Sequence, residues 1–157
     1  MSYPDPSPLS NAAAILAHLI QDRQNPEPET MDVTLSADQL VPAVTLLQEA
    51  WWGYLAAITG LDEHAAANQI TILYHFVNGP AILTLRVSVP YSQPVVPSLC
   101  AIIPSASFYE RELHEMFGVT VTDTPNTDYL FLPDEWPKGN YPMRKDYQPA
   151  AMASHQR

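Results

Sequence analysis

The 157-residue chain is 46% hydrophobic, enough apolar material for one folded domain, which excludes global disorder. Seven Lys and Arg against 17 Asp and Glu give a formal net charge of −10, excluding nucleic acid and anionic membrane surfaces as principal partners and favouring a partner with basic patches. The single cysteine, Cys100, excludes a disulfide framework, and any iron–sulfur or Cys-ligated zinc site built by this chain alone.

Residues 1 to 9 hold three prolines and no apolar pattern, and are expected to form a loose or partner-bound arm. Ser10 is placed to cap a helix running to about Arg23, with Ala12, Ile15, Leu16, Leu19 and Ile20 at helical spacing. Asn25 to Thr30 breaks it, and Met31, Val33 and Leu35 mark one face of a short strand. Ser36 with Gln39 forms a capping-box pattern for a helix reaching about Ala50; Pro42 favours a start nearer Asp38. Trp51 to Thr59 is the next expected strand. Residues 70–77 and 81–89 alternate on either side of Asn78-Gly79 and predict a β-hairpin, with positive φ at both turn residues. Pro90, Pro94 and Pro97 imply extended chain, and Ser107 with Glu110 reads as a second capping box, opening a helix that Gly118 stops.

This order of elements predicts an α+β fold, with helices on one face of a small mixed, mainly antiparallel sheet. It divides the chain into an arm (1–9), a domain (10–118) and a long irregular C-terminal docking tail (119–157). A compact domain rarely contains so long an irregular stretch, so the tail is expected to lie on another subunit. No segment has the ~18 consecutive apolar residues that cross a bilayer. The N-terminus also lacks the basic region of a signal peptide, so a cytoplasmic location is expected, with membrane contact only through a partner.

Candidate chemistry is sparse. His114-Glu115 would need a second histidine four residues after the first to resemble a zinc protease, and Gly118 stands there. His75 and His114 read as ordinary side chains rather than ligands, and Cys100, in the apolar stretch Leu99 to Ile103, as a small buried hydrophobe. Neither a glycine-rich phosphate loop nor a nucleophile elbow is present, so no catalytic, cofactor or metal site is expected in the chain. The charged clusters Glu110-Arg111-Glu112 and Arg144-Lys145-Asp146 remain. The second follows Tyr141-Pro142-Met143, an apolar and aromatic setting that suits an interface, and arginine suits bidentate pairing.

The run from Phe108 to Val119 (Phe-Tyr-Glu-Arg-Glu-Leu-His-Glu-Met-Phe-Gly-Val) is followed by Pro125, then by Leu130 to Trp136 (Leu-Phe-Leu-Pro-Asp-Glu-Trp) and Pro142 to Tyr147 (Pro-Met-Arg-Lys-Asp-Tyr). Together these resemble the signature of the 30-kDa subunit family of respiratory complex I, the C subunits of NADH:quinone oxidoreductase. That family includes the equivalent subunits of energy-converting membrane-bound NiFe hydrogenases and of formate hydrogenlyase. Departures from the usual pattern are Glu115 for Asp, Asp123-Thr124 for Gly-His, and Asp128-Tyr129 for a pair of arginines. The Pro137-Lys138-Gly139-Asn140-Tyr141 link is longer than that of complex I and is closer to the hydrogenase branch.

The resemblance implies a structural subunit in the cytoplasmic arm of a membrane-bound, ion-translocating oxidoreductase. It would have no active site or cofactor of its own and would be peripheral on the cytoplasmic face. Iron–sulfur clusters, and in the hydrogenase branch a NiFe centre, would lie in partner subunits. The partners implied are the catalytic large subunit, of 49-kDa or NiFe large-subunit type, and neighbouring iron–sulfur subunits. Glu110, Arg111 and Glu112 would fix the helix and its tail, and Arg144, Lys145 and Asp146 would clamp the tail to the large subunit. Phe117, Gly118, Trp136, Tyr141, Pro142 and Tyr147 complete the expected interface. The alternatives are the C subunit of NADH:quinone oxidoreductase proper, a stand-alone binding module, or an assembly factor.

Overall fold

A computed structural model describes residues 7–149, so the ends of the expected arm and tail, 1–6 and 150–157, lie outside the described residues. In chain order the elements are α1 (Pro8–Ile15), β1 (Asp22–Gln24), β2 (Thr30–Leu35), a 3-10 turn (Ala37–Gln39) leading into α2 (Leu40–Glu49), β3 (Tyr54–Asp62), the short α3 (His64–Ala67), β4 (Gln69–Asn78), β5 (Ala81–Pro90), β6 (Val95–Pro97), α4 (Ala106–Phe117) and β7 (Thr120–Thr122).

Five strands form one sheet in the order β1-β2-β5-β4-β3, in which only β2 and β5 run parallel. A parallel pair inside an otherwise antiparallel sheet requires a crossover, and the chain between β2 and β5 supplies it with α2 and the β3–β4 pair. One face is apolar in register across four strands. Val33, Leu85, Tyr74 and Ile58 form one row and Leu35, Val87 and Ile72 the next, all buried. Burying each such side chain stabilises the fold by ~1.5–3 kcal/mol before the entropy of ordering is subtracted. The opposite face carries Asp32, Arg86, Thr84 and His75. There Arg86 Nη1 meets Asp32 Oδ2 at 3.2 Å and His75 Nδ1 meets Thr84 Oγ1 at 3.1 Å. The α+β architecture, with a mixed and mainly antiparallel sheet, is the one read from the sequence. A separate two-stranded parallel sheet pairs β6 with β7.

Several local expectations change. The first helix starts earlier and stops earlier: Ser7, not Ser10, is its cap, accepting the Ser10 N–H, and it ends at Ile15. Residues 22–24, expected at the end of that helix, instead pair with β2 as an edge strand. Backbone pairing to an existing sheet outweighs weak helix propensity here. Pro42 is accommodated because α2 begins at Leu40, placing the proline in the first turn, where backbone N–H groups lack helical partners in any case.

β3 is shifted toward the C-terminus relative to the expected 51–59, because Trp51 and Gly53 adopt positive φ (54° and 63°) in a turn that buries Trp52 and joins its indole N–H to the Pro8 carbonyl at 2.8 Å. The hairpin is as expected, but Asn78 pairs with Ala81, so its loop is Gly79-Pro80 and only Gly79 has positive φ (58°). The expected capping box at Ser107 does not form: α4 starts at Ala106, and the Glu110 carboxylate is engaged elsewhere. Gly118 does stop α4, with φ 69° and its N–H bonded to the His114 carbonyl.

Candidate functional site

α4 has polar groups along most of its length, and among those that reach backbone outside the helix are Glu110, Arg111 and Glu115. Glu110 is buried and accepts the Leu99 N–H at 2.6 Å, the Ser98 hydroxyl at 2.8 Å and the Cys100 thiol at 3.2 Å. A single carboxylate thereby fixes the loop leading into α4, and burial together with the neighbouring Glu110 charge pushes the Cys100 thiol pKa up. Arg111 donates Nε–H to the Asp128 carbonyl (2.8 Å) and Nη2–H to the Tyr129 carbonyl (2.9 Å). Glu115 is buried and accepts N–H groups from Leu130, Phe131 and Leu132 at 2.9, 2.9 and 3.3 Å. Irregular chain must satisfy its backbone groups somewhere, and residues 128–132 do so on α4 side chains instead of in a sheet.

The tail then returns across the end of α4. Met143 N–H bonds to the Met116 carbonyl, and Arg144 Nε–H to the Phe117 carbonyl at 2.6 Å. The Arg144 guanidinium lies over the Tyr91 and Tyr141 rings at 4.7 and 4.8 Å. The next residue, Lys145, donates its backbone N–H to Asp62 Oδ2 at 2.7 Å; Asp62 Oδ1 accepts the His64 N–H, and Oδ2 is also within 3.4 Å of the Tyr91 hydroxyl. Burial raises the Asp62 carboxyl pKa, but the Lys145 and His64 N–H groups, the Lys145 charge and the Tyr91 hydroxyl outweigh it and leave it below the ordinary carboxylate value. Burial, a hydrogen bond to Asp146 and the charges of Asp146 and Asp62 push Tyr91 up to about 12.

Residues 119–149 therefore lie along their own domain, held by contacts to α4 and to Asp62. The Asp62 carboxylate latch and an arginine wedged against two aromatic rings supply enough local partners to order the tail. Of the expected interface residues, Arg111 does hold the tail. Glu110 holds the 98–100 loop instead, while Glu112 is exposed and bonds to nothing among the described residues. Trp136 donates its indole N–H to the Asn140 carbonyl at 2.8 Å and stacks on Tyr147, closing the Pro137–Tyr141 link into a turn in which Gly139 has φ 80°.

A Cβ at Gly118 would clash with the edge of the Tyr141 ring, and one at Gly60 would lie 2.6 Å from Phe117. Both positions thus set how closely the tail and α4 approach the sheet. Asp128 and Tyr129, which replace a pair of arginines, contribute their carbonyls to Arg111, so that contact does not depend on their side chains. Nothing in the sequence pattern singles out Asp62 or Tyr91, and Glu115 stands out there only as a substitution. Their partners lie far along the chain, where no local spacing marks them.

Several cavities flank the tail. One of about 370 Å³ lies among His114, Glu115, Tyr129, Lys138 and Tyr141, and one of about 330 Å³ lies between β3 and α4. Among the described residues no three His, Cys, Asp or Glu side chains converge as a metal ion would require, and no helix is long and apolar enough to cross a membrane. The arrangement holds backbone in place.

The profile of the respiratory-chain NADH dehydrogenase 30 Kd subunit family matches residues 33–152. The chain belongs to that family. It is 32% identical over 119 residues to the C subunit of NADH-quinone oxidoreductase from Moorella thermoacetica, covering 74% of this chain and 78% of that one. It is 31% identical over 121 residues to formate hydrogenlyase subunit 5 of Escherichia coli, covering 75% of this chain but only 21% of that longer protein. The fold is shared with a chain of an archaeal respiratory membrane complex, the membrane-bound sulfane sulfur reductase. That likeness has a TM-score of 0.78 at 20% identity and covers 95% of this chain and 90% of the other.

Proposed function

We propose that this chain is a structural subunit, without a cofactor of its own, in the cytoplasmic arm of a membrane-bound oxidoreductase, and that it docks on the catalytic large subunit beside iron–sulfur subunits. The observation that carries this reading is the use made of α4. The charged groups of the family motif hold the 98–100 loop and residues 128–132 by their backbone, and so cover α4 with the returning tail.

Within the family we assign the chain to the hydrogenase branch. Support comes from the Trp136–Tyr141 link, which is longer than that of complex I and is closed by the Trp136–Asn140 hydrogen bond. Membership of complex I proper is the second reading, favoured by the match across most of the length of the Moorella protein.

The test is purification of the tagged chain from its native membranes with identification of the accompanying subunits. A large subunit with two Cys-x-x-Cys pairs supports the hydrogenase branch. One lacking them moves the chain to complex I, and recovery of the chain alone overturns the subunit reading.

A further inference from the structure

The two edges of the main sheet are unlike. β1 is three residues long, fully exposed and carries Asp22 and Arg23, a short charged edge of the kind that discourages further pairing. β3 is nine residues long, and from Tyr54 to Leu61 it contains neither a charged residue nor a proline. The direction of its backbone groups follows from register. Asn78 and Ala81 close a two-residue hairpin, so Asn78 and every second residue back along β4 face β5. Their alternates, His75, Leu73 and Thr71, face β3, where they pair with Ala57, Thr59 and Leu61. Ile58 and Gly60 therefore turn their N–H and C=O groups outward from the sheet, and among the described residues nothing bonds to them.

This free stretch has defined ends. At one, the β-bulge between Leu55 and Ala57 leaves the Ala56 carbonyl to accept the Tyr109 hydroxyl at 2.8 Å; at the other, Asp62 is tied to the tail through the Lys145 N–H. Alongside lies the groove of about 330 Å³. Its floor is Ala57 to Gly60, and its wall is the α4 stripe of Tyr109, Glu112, Leu113 and Met116, with the exposed Met143 at the rim. Four consecutive strand residues line it, together with the Phe117 ring that packs against Gly60. Glu112 supplies the groove's only carboxylate, and that carboxylate has no partner among the described residues.

We propose that this slot receives an extended segment of a partner subunit. The segment adds a sixth strand to β3 through Ile58 and Gly60, places alternate apolar side chains beneath Tyr109, Leu113 and Met116, and sets a Lys or Arg against Glu112. Main-chain hydrogen bonds would supply affinity, and the apolar pockets with the lone carboxylate would supply specificity. A second copy of this chain is a poorer occupant, because each copy carries a net charge of −10 and would bring a like-charged Glu112. The proposal deepens the subunit reading above and rests on it.

Hydrogen–deuterium exchange on the native complex and on the free chain tests the slot. The amides of Ile58 and Gly60 should exchange readily in the free chain and be protected in the complex. Glu112→Arg, on an exposed position that leaves the free chain's melting temperature unchanged, should weaken recovery of the partner about tenfold. Met116→Glu should act in the same direction. Recovery of the complex with both amides still exchanging, and with both variants assembling normally, would overturn the slot and leave the subunit reading standing. Failure of the wild-type chain to recover any partner would overturn both. Protection that appears only in a homodimer would assign the edge to a second copy and likewise overturn the proposal.

Discussion

The Nε–H of Arg144 donates to the carbonyl of Phe117, the last residue of α4, across 27 positions of sequence and a distance of 2.6 Å. A helix leaves its final carbonyls without intrahelical partners, and here a side chain of the returning tail satisfies one of them while its guanidinium covers Tyr91 and Tyr141. The end of the family motif and the start of the tail's return are thus one structural unit.

Removing that unit should loosen the isolated chain as well as any assembly. Arg144→Ala leaves the Phe117 carbonyl unpaired at a cost of ~1–3 kcal/mol and removes cation–π contacts of ~0.5–2 kcal/mol. Thermal unfolding should show a clear drop in melting temperature, and limited proteolysis should open sites between 119 and 149. Arg144→Lys should recover only part of the loss, since an ammonium cannot stack as a planar group. An unchanged melting temperature for Arg144→Ala would show that the tail's attachment does not need this contact.

Glu115→Gln probes the three N–H groups of residues 130–132. The amide keeps the volume but offers one acceptor oxygen in place of two, leaving part of the set unsatisfied at ~1–3 kcal/mol. Because the carboxylate holds one segment only, proteolytic cutting should rise first within 128–135 while the sheet's amide protection persists. Glu115→Asp, the residue more usual in the family, should retain the charge and lose less. Global unfolding without a local phase would mean that this segment and the domain form one cooperative unit.

Acid and alkali should act on the same latch from opposite sides. Asp62 titrates below its ordinary value of 3.8 in the folded chain, so its contribution is complete above that value and is lost as pH falls through it toward the folded pKa. Glu63, hydrogen-bonded by Thr71 and Gln69, is likewise held below its ordinary 4.5. Tyr91 is raised from 10.0 to about 12, so its contribution is complete below 10 and disappears as pH rises toward 12. Melting temperature should therefore fall below about pH 4. Asp62→Asn should flatten that acid limb while lowering stability near neutrality. An acid limb identical in the variant would assign the dependence to other carboxylates.

How much of this was legible in the sequence depends on the range of the interaction. The β4–β5 hairpin is legible because alternation and a turn residue at Gly79 are local signals, and the stop at Gly118 is legible for the same reason. The start of α4 is not, because a serine three residues before a glutamate looks the same whether that glutamate caps its own helix or, like Glu110, binds a loop eleven residues back. Asp62 and Lys145 are 83 residues apart, and Tyr91 reaches Asp146 with no periodicity to announce it. The family motif marks Arg111, Gly118 and Arg144 as a set. Only the three-dimensional arrangement shows that the set binds the chain to itself.

Gly118→Ala separates backbone strain from crowding at this junction. A residue with a side chain at φ 69° costs roughly 1–2 kcal/mol, and the added Cβ must also displace the Tyr141 ring at a further ~1–3 kcal/mol. Displacing Tyr141 would disturb its contact with Arg144, so the effect should extend along the tail. The double-mutant cycle with Tyr141→Ala distinguishes the two costs. If crowding is substantial, Gly118→Ala should cost less in the Tyr141→Ala background, with a coupling within the ~0.5–3 kcal/mol usual for residues in contact. Equal cost in both backgrounds would leave backbone conformation as the whole effect and remove Tyr141 as the reason for a glycine at this position.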